Sequence, residues 1–79
     1  MQINAKQCKS ARELLGWSQE KLAEQSKVSK AAISFFERGE TQPTQRTQRD
    51  LINAFESAGV RFIENDVEFG AVVSKNRIE

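Results

Sequence analysis

The chain has no histidine, no tyrosine and a single cysteine, Cys8. One thiol closes no intrachain disulfide, and without histidine it makes neither a zinc cluster nor a thiol-imidazole pair, so no metal, cofactor or catalytic residue is expected. Internal repeats and low-complexity tracts are missing too. No apolar run approaches the ~18 residues of a membrane helix, and the opening Met1-Gln2-Ile3-Asn4-Ala5-Lys6 lacks a secretory-type apolar stretch, so a soluble, cytoplasmic protein away from membranes is expected. At 79 residues there is room for one small folding unit rather than a multidomain enzyme. A chain this short, with neither disulfide nor metal, draws its stability from well-formed helices or from a partner subunit.

What is present is a globular mixture, 38% hydrophobic and 29% charged, with a net charge of only +1. The charge is unevenly spread. Residues 1–49 carry nine basic and five acidic side chains, whereas residues 50–79 carry three basic and six acidic ones. Such polarity lets one end meet a polyanion while the other stays clear of it, although an ordinary solvated surface has the same composition.

Cys8, Ala11, Leu14 and Leu15 recur at helical spacing after Asn4, a good N-cap, and Gly16 ends that run. Ser18 opens a second helix of about two turns, with Leu22 and Ala23 inward and Glu20 at its positive end. Val28-Ser29 interrupts it, Ser29 caps a third helix, and Ile33 and Phe36 point that helix at the core before Gly39. Pro43 leads to a fourth helix, capped by Thr44 or by Thr47, whose apolar stripe is Leu51, Ile52, Phe55 and Ala58. Beyond Gly59 the pattern turns to strands: Val60 to Ile63, Asn65-Asp66 as turn, then Val67 to Val73 broken by Gly70. The expected fold is mainly α, with four helices and a C-terminal β-hairpin or strand extension. Residues 1–59 form the helical domain and residues 60–79 the β extension.

A short helix, a tight turn and a second helix with a polar outer face make a helix-turn-helix unit, whose second helix enters the DNA major groove. Setting Ile33 and Phe36 inward leaves Ser29, Lys30, Ala31, Ser34 and Phe35 facing outward near the start of the third helix, where they are the candidate base readers. Lys30 suits guanine O6 and N7, Ser34 suits either kind of base, and Ala31 or Phe35 suits a thymine methyl group. Phe35 equally suits a fold onto its own surface or a subunit contact.

From Ala11 to Gly39 the chain resembles the phage repressor and Cro-like helix-turn-helix regulators, the xenobiotic-response-element family, through Arg12, Gly16, Ser18-Gln19, Leu22-Ala23, Val28-Ser29, Ile33 and Glu37-Arg38-Gly39. The likeness continues through Pro43, the fourth helix and Gly59-Val60-Arg61-Phe62-Ile63. It implies a DNA-binding transcriptional regulator that is not an enzyme. Gln19 matches a residue that grips a phosphate in the family, and Arg12 with Glu37 matches a structural ion pair. Lys27 stands where many relatives have glycine, at a turn position that tends to need positive φ.

Lys27, Arg38, Gln42, Thr44 and Arg46 flank the third helix as further candidates for phosphate contact. Reading only four or five base pairs, one copy cannot select a site in a genome, so a homodimer on an inverted repeat is expected. Its interface is expected after Gly59, at Phe62, Val67, Phe69, Val72 and Val73, whose apolar bulk exceeds what a small helical core absorbs. No small-molecule ligand is expected. The acidic C-terminal part also admits a second reading, an antitoxin or adaptor module that binds protein.

Overall fold

The computed structural model describes residues 2–63 and 66–69. Within them the chain forms α1 (Ala5–Leu15), α2 (Gln19–Ser26), α3 (Lys30–Glu37) and α4 (Gln45–Ser57), followed by β1 (Val60–Ile63) and β2 (Asp66–Phe69). The fold is thus mainly helical, with a short β element at its C-terminal end, as expected.

Each helix starts where a side chain accepts its orphan amides. Asn4 and Gln7 form a reciprocal capping box: Asn4 Oδ1 accepts from the Gln7 N–H at 2.7 Å and Gln7 Oε1 from the Asn4 N–H at 2.9 Å. Ser18 and Ser29 cap α2 and α3 by accepting from the amides of Lys21 and Ala32. For α4 the choice between two threonines falls to Thr44, which accepts from the Thr47 amide. At the other end of α1, Gly16 sits at φ 69°, donating to the Glu13 carbonyl while Trp17 donates to that of Arg12.

One core unites these elements. Ile3, Cys8, Ala11, Leu22, Val28, Ile33, Phe36, Leu51, Ile52, Phe55, Val60 and Phe62 are buried, with Leu15, Trp17 and Ala23 packed against them. Phe55 is its centre: the Trp17 ring stacks at 6.0 Å and the Phe62 ring meets it edge-on at 5.8 Å. Gln48, in the first turn of α4, is also fully enclosed, where its amide bonds both backbone groups of Ile3.

Several expectations require correction. Leu14 is 44% exposed, because the buried stripe of α1 runs through Gln7, Cys8 and Ala11 and leaves Leu14 at its edge. Asp66 is not turn material: β1 and β2 pair antiparallel in the register Val60↔Phe69 to Ile63↔Asp66, so Asp66 opens the second strand. Phe62, expected at a subunit contact, is spent inside its own chain against Phe55. Val67 and Phe69 lie on β2, and Val72 and Val73 lie outside the described residues, as do the strand residues expected from Gly70 onward.

Candidate nucleic-acid interface

The turn between α2 and α3 sets the placement of α3. Ser26 is buried, and its hydroxyl donates to the Leu22 carbonyl at 2.7 Å while accepting from the Val28 N–H at 3.2 Å. Between them Lys27 adopts the left-handed conformation, φ 63° and ψ 24°, the one non-glycine residue with positive φ among the described residues. Val28 then plugs the core and Ser29 caps α3, so three residues, Lys27 to Ser29, separate the two helices.

On α3, Ile33 and Phe36 are buried, and the other side presents Lys30, Ala31 and Phe35 to solvent, with Ser34 half-buried beside them and the N-cap Ser29 exposed at the helix start. Each of the five residues expected to face outward is thus exposed or half-buried. Ala32 is exposed as well, which makes the first turn of the helix small-sided and open to close approach. Phe35 is 42% exposed and is not folded into the core; the Arg38 guanidinium stacks 5.1 Å from its ring centre, and Glu40 holds Arg38 by an ion pair of 3.2 Å.

The first turns of α2 and α3 lie side by side, joined by an ion pair of 3.4 Å between Glu20 Oε2 and Lys30 Nζ. Sequence reasoning had placed Glu20 only as a helix-end charge; its partner, ten positions on, is invisible without the fold. The Glu20 carboxyl is held below its ordinary range by its own backbone N–H and then by the Lys30 charge.

Behind this surface lies the ion pair between Arg12 and Glu37. Arg12 Nε donates to Glu37 Oε2 and a second guanidinium nitrogen donates to Oε1, both at 2.8 Å, while the third reaches the Trp17 carbonyl at 2.9 Å. The two side chains are 13% and 5% exposed. Glu37 also accepts from the Cys8 thiol at 3.2 Å and from Gln19 Nε2 at 3.1 Å. Burial alone would raise the Glu37 carboxyl, but the bonds from Arg12, Gln19 and Cys8 outweigh it and keep the group below its ordinary range. The same burial, together with the Glu37 charge, pushes the Cys8 thiol far up.

Gln19 is thereby fixed to the end of α3. Its amide carries two N–H donors, of which the bond to Glu37 uses one. Lys27, Arg38, Gln42, Thr44 and Arg46 are all exposed, Thr44 and Arg46 at the start of α4. Among the described residues no group of histidine, cysteine or carboxylates is arranged to hold a metal, and no helix is long and apolar enough to cross a membrane.

The helix-turn-helix family model matches residues 9–58, from α1 to the end of α4. No curated protein matches the chain. The match spans more than half the sequence, so the chain belongs to the helix-turn-helix family, of the Cro and phage-repressor type, and a DNA-binding regulator is the function this membership supports.

Proposed function

We propose that this helix-turn-helix protein regulates transcription by binding an inverted-repeat operator as a homodimer, with α3 in the major groove. The observation that carries the reading is the two-sided character of α3: Ile33 and Phe36 anchor it, while Lys30, Ala31 and Phe35 are exposed, Ser34 is half-buried beside them, and the N-cap Ser29 is exposed at the helix start. Lys30 donates to guanine, Ser34 bonds a base edge, and Ala31 and Phe35 pack on thymine methyl groups. Gln19, Lys27, Arg38, Gln42, Thr44 and Arg46 hold phosphates on either side. The second copy docks through the segment after Gly59, with Val67, Phe69, Val72 and Val73 in the contact. In support, the two strands among the described residues pack on the helices of their own chain through Val60 and Phe62, and an unpaired strand edge is a template that a second copy can cover.

Selection of bound sequences from random duplex DNA, followed by affinity measurements over a salt series, tests this. The expected result is a short motif repeated in inverse orientation, with log affinity falling steeply against log salt. Gln19→Ala weakens binding to all sequences alike, whereas Lys30→Ala relaxes preference at one base position. A stoichiometric protein partner captured from the native host, with no motif selected, favours the antitoxin or adaptor reading instead.

A further inference from the structure

Two carboxylates, Glu20 and Glu40, stand on a surface proposed to meet a polyanion. Glu40 holds Arg38, two residues before it, in the loop that follows α3. Glu20 is different, because it reaches from α2 to the first residue of α3 and places its carboxylate 3.4 Å from the Lys30 ammonium. With the two side chains 69% and 54% exposed, this pair adds little to folding, so its place in front of a base-reading lysine calls for another explanation. A carboxylate there weakens attraction to every phosphate nearby.

The pair offers one acceptor beside one donor, 3.4 Å apart, on the open side of two neighbouring helix N-termini. Two groups this close on flexible, exposed stems can reach the edges of adjoining base pairs, which stack about 3.4 Å apart. An ammonium donates to guanine O6 and N7, and a carboxylate accepts from the N4 amino group of cytosine. We infer that Glu20 and Lys30 read base edges as a unit, Lys30 on a guanine and Glu20 on a cytosine at the adjoining position. The inference rests on the DNA-binding reading above and adds a specificity-determining residue to it.

Discrimination follows from the exchange of partners. In the free protein Lys30 is already balanced, so a phosphate of random DNA must compete with Glu20 for it. At guanine or thymine the carboxylate meets only acceptors or a methyl group, and at adenine its one donor, N6, stands beside the repelling N7 acceptor, so each is penalised relative to cytosine. Only the matching step satisfies both groups together. The ionised state this requires is the one Glu20 keeps at neutral pH.

Site selection with the wild-type chain, Glu20→Ala, Glu20→Gln and Lys30→Ala tests the pairing, with melting curves to confirm that each exposed-site variant is folded. The wild type selects guanine next to cytosine within its motif. Glu20→Ala lowers the preference at the cytosine position from about tenfold or more to under about twofold and leaves the remaining positions unchanged. Glu20→Gln moves that position toward adenine, whose N6 and N7 suit an amide. Lys30→Ala loses the guanine position. If Glu20→Ala keeps every base preference and binds all sequences more tightly by the same factor, the carboxylate only repels phosphate and the pairing is overturned. A wild-type chain that selects no motif at all overturns the DNA-binding reading itself, so the two failures are distinguishable.

Discussion

Gln48 and Ile3, 45 positions apart, are joined like neighbouring residues of a sheet: Gln48 Oε1 accepts from the Ile3 N–H at 2.9 Å and Gln48 Nε2 donates to the Ile3 carbonyl at 3.1 Å, both inside the core. A side-chain amide thus replaces a missing strand partner for the segment that precedes α1. Without it, a backbone donor and an acceptor are buried with nothing to bond. Gln48→Leu, which keeps the volume and removes both partners, is expected to cost about 2 kcal/mol or more, read as a lower urea midpoint with little change in slope.

The Glu37 carboxyl ties α3 to α1 and α2 at once, and its bonds from Arg12, Gln19 and Cys8 are stronger to the ionised form than to the protonated one. Because its folded value lies below the ordinary 4.5, it contributes stability that is fully present above that pH and is lost as pH falls through the depressed folded value. Unfolding midpoints measured from pH 7 down to pH 2 are expected to fall over that acid window. Glu37→Gln flattens this part of the profile and costs about 3 kcal/mol at neutral pH, since it leaves the Arg12 charge enclosed without its counterpart.

Lys27 holds a left-handed conformation at the α2 C-terminus while its side chain is exposed. Its Cβ is therefore strained and compensated by no burial. Lys27→Gly is expected to raise stability by about 1 kcal/mol, and Lys27→Ala, which keeps the Cβ, to leave it nearly unchanged. An unchanged or lower melting temperature for the glycine variant shows that the lysine makes a stabilising contact with greater effect than the strain.

Cys8 has no exposed surface, and its thiol, raised by burial and by the adjacent Glu37 carboxylate, stays protonated in the native state. Alkylation with iodoacetamide at pH 8, followed by mass spectrometry, is expected to be at least about 100-fold slower for the folded chain than in denaturing urea, with the native rate tracking unfolding. Rapid labelling of the native chain contradicts the packing of α1 against α3.

Periodicity and capping residues by themselves determined the four helices, because an N-cap acts on amides two or three residues away and a helical stripe repeats within a few positions. Asn4, Ser18, Ser29 and Gly16 perform locally the roles their chemistry indicates. The outward face of α3 was legible for the same reason: fixing Ile33 and Phe36 as core leaves the other side to solvent. Tertiary structure alone decided the pairings that span long stretches of chain. Gln48 reads as a surface residue of a polar helix until Ile3 is brought to it, and Glu20 reads as a helix-end charge until the turn at Lys27 sets Lys30 beside it. Phe62 was likewise assigned outward by counting apolar bulk, whereas the packing of β1 on α4 carries its ring onto Phe55. Local sequence specifies conformation over a turn or two, but which side chains meet across the core depends on how the elements pack, and no single segment contains that information.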